Sequence, residues 1–386
     1  AIASSTPLIG GAYLSVSGRG VLDVKGRAID PQFISEELGT TPGTTLNGAQ
    51  NVFVSGNYAY VANNARDSLA VIDISNPADP VFLSEELGTT PGTTLDGASS
   101  VFVSGNYAYV TNANRASLAV IDISNPLDPV FLSEELGTTP GTTLSGARNV
   151  FVSGNYAYVA NFARDSLAVI DISNPADPVF LSEERGTTPG TTLDGAYGIF
   201  VSGNYAYVAN NNRDSLAVID ISNPADPVFL SEELGTTPGI TLNGAISVFV
   251  SGNYAYVANN IRDSLAVIDI SNPADPVFIS EELGTTPGTT LNGATSVFVS
   301  GNYAYVTNNT RDSLAVIDIS NPADPVFLSE ELGTTPGTTL DAAISVFVSG
   351  NYAYVANFAH DSLAVIDIGG STISNLAVGT AKVGNL

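Results

Sequence analysis

Apolar and polar positions along this chain follow a pattern that returns every 49 residues. The string Phe53-Val54-Ser55-Gly56-Asn57-Tyr58-Ala59-Tyr60-Val61 restarts, almost unchanged, at Phe102, Phe151, Phe200, Phe249, Phe298 and Phe347. A fixed period of this size signals a solenoid, a propeller or an array of small units. Each unit predicts four short strands rich in Val, Ile, Phe and Tyr. In the first unit these are strand A (52–55), strand B (58–61), strand C (69–74) and strand D (80–84). Ser55-Gly56-Asn57 makes a tight A–B hairpin. Pro77 and Pro80 separate C from D, because proline cannot sit inside a ladder. A longer Thr/Gly/Pro stretch, 87–95, leads from D to the next A. No segment has helical periodicity.

Several of these strands are apolar on both faces, as blades stacked between neighbours must be. The predicted fold is therefore all-β, a single β-propeller of four-stranded antiparallel blades spanning residues 1–386. A solenoid fits less well: a 49-residue meander is long for one β-helix coil, and the terminal units lack polar caps. Ring closure removes the need for caps. Seven near-identical units occupy 36–368, flanked by a worn N-terminal copy of B-C-D within 1–35 and a C-terminal stretch, 369–386. In the worn copy, residues 12–16 stand for B, 21–24 for C and 30–35 for D. Residues 372–378 would supply the last D strand, and the segment around Lys382-Val383-Gly384 an A strand for the N-terminal copy. That gives eight blades, the expectation preferred because C at 21 and D at 33 would pair locally at little loop entropy. The alternative is seven blades, with Phe33-Ile34 closing the last one.

Gly56-Asn57-Tyr58-Ala59-Tyr60-Val61 followed by Leu69-Ala70-Val71-Ile72-Asp73-Ile74-Ser75-Asn76-Pro77 resembles the LVIVD repeat, and the likeness recurs in every unit. That family occurs in bacterial and archaeal proteins, often exported or surface-attached. The resemblance implies a propeller and an extracellular setting. It carries over no catalytic residues. The Ser84-Glu85-Glu86 end of strand D, the long loop after it and the near-identity of the units depart from the family pattern.

Composition narrows the function. Only 13% of residues are charged, with 12 Lys+Arg against 38 Asp+Glu, a formal charge of −26. Such a surface repels nucleic acid and anionic lipid, and keeps a Val/Ile/Phe-rich β protein soluble. There is no Cys, hence no thiolate site or disulfide. The opening Ala1-Ile2-Ala3 reads as a chain whose signal peptide has been removed, or as an internal fragment. No apolar run reaches the ~20 residues of a spanning helix. The expected location is the cell surface or the extracellular medium.

The units differ chiefly at two places. One precedes strand A: Gln50/Asn51, Ser99/Ser100, Arg148/Asn149, Tyr197/Gly198, Ile246/Ser247, Thr295/Ser296 and Ile344/Ser345. The other is the B–C loop: Asn64/Ala65, Ala113/Asn114, Phe162/Ala163, Asn211/Asn212, Asn260/Ile261, Asn309/Thr310 and Phe358/Ala359. In an antiparallel meander both lie on one face, beside the central channel. They form the candidate binding rim, with Phe162, Phe358, Tyr197 and Ile246 as exposed anchors; loop positions also drift freely.

Catalytic chemistry finds little to work with. His360 is the one histidine, which excludes a multi-histidine metal site, and since it replaces the arginine of the earlier B–C loops it reads as a substituted loop residue rather than the base of a triad. Arg66-Asp67 reads as a local ion pair or turn bond, missing in the second unit, which has Ala116. Asp79 reads as a turn cap, and Glu85-Glu86 as a solvated outer edge that discourages ring-to-ring pairing. Oxygen-rich loops can hold calcium, but no EF-hand loop is present; the expectation is no cofactor and no metal. Asn308-Asn309-Thr310 fits a glycosylation sequon. The expected function is a noncatalytic binding module that recognises a protein or glycan through the variable rim. The alternative is a structural subunit of a larger envelope, sheath or appendage assembly.

Overall fold

The computed structural model describes residues 13–16, 22–25, 31–40, 45–89, 94–139, 143–186, 192–236, 241–284, 290–333 and 339–369. Its blades are seven four-stranded antiparallel sheets. In the first blade the strands are A (Ala49–Ser55), B (Tyr58–Asn63), C (Ser68–Asp73) and D (Val81–Glu86). Gly56, at φ 60°, makes the left-handed turn that joins A to B.

Strands B and C are buried along nearly their whole length, because each sheet is covered on both faces. One face of the first blade presents Tyr60, Ala62, Leu69 and Val71. These interlock with Leu95, Ala98, Val101, Val110 and Ile121 of the second. Small residues on one sheet sit against large ones on the next. The same packing joins the seventh blade to the first, through Tyr354, Ala356, Leu363 and Val365 against Leu46, Val52, Val61 and Ile72. Each fully buried Leu or Ile contributes about 1.5–3 kcal/mol, so the ring is stable through its interfaces. Burial also pushes the Tyr60 phenol up, with the neighbouring Tyr58 adding to the shift, and it does the same at Tyr109, Tyr158, Tyr207, Tyr256, Tyr305 and Tyr354.

The eight-blade expectation is corrected to seven. The strand Gln32–Glu37 does not pair with its sequence neighbour Leu22–Lys25, which instead forms a separate two-stranded sheet with Tyr13–Val16. It takes the D position of the last blade, with Phe33 opposite Ile366 and Glu37 opposite Leu363. Phe82 opposite Ile72 and Glu86 opposite Leu69 show the same register in the first blade. The position assigned to residues 372–378 is thus filled by the N-terminal strand; those residues and 382–384 lie outside the described ones. Loop entropy grows only logarithmically with length. A long closure therefore costs little more than a short one, while it completes a blade and packs Phe33, half-buried, against the last blade's core.

The closing strand also makes the contacts between blades that every D strand makes. Glu86 accepts a hydrogen bond from Phe131 N at 3.0 Å, and Ser84 Oγ donates to Pro126 O at 2.7 Å. At the seam Glu331 accepts from Phe33 N at 3.0 Å, and Ser35 donates to Pro77 O at 2.7 Å. Glu85 and Glu86 are therefore not a solvated edge. Glu86 fastens neighbouring blades, and Glu85 takes Arg66 bidentately at 2.7 and 3.1 Å. Arg66 does not pair with Asp67. Asp67, at φ 58°, instead caps Gly97 N of the next blade at 2.8 Å. In the turn after C, the caps come from Asp73 to Ser75 N (2.8 Å) and Asn76 to Ala78 N (3.3 Å), rather than from Asp79. His360 replaces the arginine at the seam and faces Glu36 at 3.1 Å. Asn308 of the sequon is fully buried with its amide donating to Ser313 Oγ at 3.1 Å, so it is not presented for glycosylation.

Candidate functional site

Strand A is the innermost strand of each blade, and its residues build the channel in tiers. The lowest tier is a closed aromatic collar. Phe53, Phe102, Phe151, Phe200, Phe249, Phe298 and Phe347 stand in a ring with neighbouring centroids 4.8–4.9 Å apart. Their interplanar angles of 50–52° equal one seventh of a turn, as the ring planes would show if all ran parallel to the channel axis.

One pleat above lie Asn51, Ser100, Asn149, Gly198, Ser247, Ser296 and Ser345. Asn51 Nδ2 donates to Ser345 Oγ at 3.0 Å, Asn51 Oδ1 accepts from Val101 N at 3.0 Å, and Asn149 Nδ2 donates to Ser100 Oγ at 3.2 Å. This polar belt links blades seven, one, two and three. It is interrupted in the fourth blade by Gly198, where an added Cβ would lie 2.6 Å from the Ile246 carbonyl oxygen. Backbone approaches too closely there for any side chain.

The top tier is made by a β-bulge repeated in every blade. Ala49 pairs with Asn63 and Asn51 with Ala62, which leaves Gln50 as the extra, unpaired residue. The same shift falls at Ser99, Arg148, Tyr197, Ile246, Thr295 and Ile344. A bulge re-aims a side chain away from the ladder. All seven of these residues line a cavity of about 140 Å³ at the channel mouth. They are also one of the two places at which the near-identical units chiefly differ.

The tier is not uniform. In the fourth blade's sector, Tyr197 meets Phe162 edge-to-face at 6.0 Å and 83°, and the Arg148 guanidinium sits 5.6 Å from the centroid of each ring. Burial pushes the Tyr197 phenol up, and Arg148 draws it partly back. Ser99 and Thr295 are buried instead. Ser99 Oγ lies 3.0 Å from Thr111 Oγ1, and Thr295 Oγ1 lies 3.1 Å from Thr307 Oγ1. Both threonines replace an alanine of strand B, so a hydroxyl at the bulge goes with a hydroxyl across from it.

The B–C loop residues share this face without lining the cavity. Asn64 N donates to Gly48 O at 2.8 Å, and Ala113, Phe162 and Asn211 make the same bond at 2.9 Å. Phe358 N donates to Ala342 O at 3.1 Å. Ile261 is 63% exposed and Phe358 37% exposed, while Thr310 Oγ1 bonds to its neighbour Asn309 at 3.1 Å. Of the four anchors expected to be exposed, Phe162, Tyr197 and Ile246 are half-buried, the first two because they pack on each other. Sequence reasoning missed Ile199 and Val248 as lining residues, and missed the collar. One phenylalanine at a fixed place in every unit was the available signal for that ring. Among the described residues, no group of three or more His, Cys, Asp or Glu side chains is placed to hold a metal ion.

Solved structures share the architecture at low identity. Virginiamycin B lyase from Staphylococcus aureus superposes with TM-score 0.63 at 11% identity, over 84% of this chain and 96% of that one. The computationally designed protein Ika8 gives 0.57 at 13%, over 87% and 99%. BamB from Moraxella catarrhalis gives 0.53 at 12%, over 94% and 96%. At such identities the likeness shows the fold alone. No curated protein matches the chain. The LVIVD repeat profile matches seven times, at 48–85, 97–134, 146–183, 195–232, 244–281, 293–330 and 342–380, and the chain belongs to the LVIVD-repeat family.

Proposed function

We propose that this propeller is a noncatalytic binding module, acting outside the cell, whose ligand docks over the channel mouth on the face shared by the D–A and B–C loops. One observation carries the reading. The bulged residue of strand A lines a single cavity in all seven blades, and it is one of the two places at which the units chiefly diverge, while the collar three residues away is invariant. The hydroxyl pairs Ser99–Thr111 and Thr295–Thr307 add support, since two of the differences come with matching changes in strand B.

The test is capture on glycan and protein arrays with the wild-type chain and a Phe162→Ala/Tyr197→Ala double variant. Loss of capture with an unchanged circular dichroism spectrum supports the reading. Unchanged capture overturns it.

A second reading, a structural subunit of a larger assembly, has its own observation. The first outward residue is apolar in six of the seven D strands, with Gln32 in the seventh. Val81, Val130, Val179, Val228, Val277 and Val326 are each 47–52% exposed and form a row around the perimeter. A defined oligomer in native mass spectrometry of protein from its natural source, dispersed by charged substitutions along this row, would favour that reading over the first.

A further inference from the structure

Arg148 and Arg185 stand apart from the other described arginines of the ring, and Arg185 spends its Nη2 on Arg164 O at 3.2 Å. Six arginines, from Arg66 to Arg311, each hold a glutamate of their own blade at 2.6–2.8 Å. Arg148 has no carboxylate within ion-pair distance among the described residues, and its Nε is buried without a hydrogen-bond partner. Its guanidinium is held in place by Phe162 and Tyr197, at 5.6 Å from each. It is the one cation lining the channel-mouth cavity. A planar guanidinium fixed by aromatic rings, with its remaining N–H groups unspent, is pre-organised for bidentate contact with a carboxylate.

The surroundings narrow the ligand further. Around the cavity the chain sets the amide of Gln50 and the hydroxyl of Ser296, beside Asn51, Asn149 and Ser247, which already bond within the polar belt. The volume of about 140 Å³ suits one small polar ring rather than a drug-sized molecule. Polyanions are disfavoured by a single cation in a chain of net charge −26. An acidic peptide side chain would satisfy Arg148 but leave Gln50 and Ser296 unused. We propose that the channel mouth binds an acidic sugar, its carboxylate on Arg148 and its hydroxyls on the neighbouring amides and hydroxyls. This inference rests on the rim being the binding face and names the chemistry it reads.

The experiment titrates ¹⁵N-labelled protein with methyl glucuronide, and in parallel with methyl glucoside, acetate and a glutamate-containing peptide, following the arginine Nε–Hε signals. The expected result is a shift of the signal that disappears in Arg148→Met. Affinity for the glucuronide should fall about tenfold or more in that variant, with no change in thermal midpoint and no change toward the glucoside. Equal glucuronide affinity in Arg148→Met overturns the proposal. So does acetate or the peptide binding as tightly as the glucuronide, the peptide result pointing to a protein ligand. If the Phe162→Ala/Tyr197→Ala variant loses array capture while the glucuronide never binds, the rim reading stands and this inference falls.

Discussion

The phenylalanine collar and the bulged tier lie three residues apart on the same seven strands, yet they have opposite characters. The collar is the same residue seven times, with every ring in contact with two others. The tier holds Gln50, Ser99, Arg148, Tyr197, Ile246, Thr295 and Ile344, and in it only Arg148, Tyr197 and their neighbour Phe162 form a local aromatic cluster. In the collar a change in one blade disturbs its neighbours on both sides, so symmetry fixes the residue. At the bulge the side chain leaves the ladder and enters a cavity, so each blade can differ alone. A cyclic repeat thus separates what closes the ring from what individualises it.

The largest expected effect comes from perturbing every blade at once. The phenols of Tyr60 and its equivalents are raised by burial, that of Tyr305 to about 12. A raised acid group contributes stability that is complete below the unfolded value, near 10, and is lost as pH rises through the folded values. Alkaline titration followed by circular dichroism should show cooperative unfolding setting in above pH ~10, whereas the varied tier supplies only one such group, Tyr197. Next, Phe200→Ala opens the collar and should cost about 3 kcal/mol in denaturant melts, with a similar loss at any of the other six positions. A loss that depended strongly on the blade would break the comparison.

Smaller effects sharpen it. Gly198→Ala forces a methyl against the Ile246 carbonyl and should cost about 2 kcal/mol, while Ser247→Ala, one blade on, should cost about 1 kcal/mol or less. Ala342 occupies, at φ 52°, the place that glycine fills in the other six units. Ala342→Gly should therefore gain about 1 kcal/mol, measured by the thermal midpoint.

The blade was legible in the chain. Strands A to D follow from apolar runs, from Gly56 and from Pro77 and Pro80, because local turn chemistry decides them. The face of the variable rim followed from the direction of the meander alone. Blade number was not legible in the same way, because Phe33 can pair with any C strand that presents Ile and Val in order. The likeness of Phe33-Ile34-Ser35-Glu36-Glu37 to Phe82-Leu83-Ser84-Glu85-Glu86 marks a D strand, but it does not say whether the C strand at 21–24 or the last repeat's C strand is its partner. The roles of Asp67 and Glu86 depend on which blade stands beside them, and the sequence does not say how far neighbouring backbones approach. Gly198 and the bulge at Gln50 stayed hidden for that reason. The Ser99–Thr111 and Thr295–Thr307 couplings could have been found by comparing the units position by position.

The closing strand has a consequence for biosynthesis. Gln32–Glu37 leaves the ribosome first, but its partner Ser362–Asp367 emerges only when the last repeat is made. Until then the nascent chain carries an unsatisfied strand at its head and offers it, one after another, C strands of identical sequence, Ser-Leu-Ala-Val-Ile-Asp. Strand recognition alone would accept the fourth or fifth as readily as the seventh. The chain must therefore count by curvature, since only when enough wedges have stacked do head and tail come within reach. Gain or loss of a unit during replication of so repetitive a gene would reset that count, and a ring that cannot meet its own head would be left to seek the head of another copy.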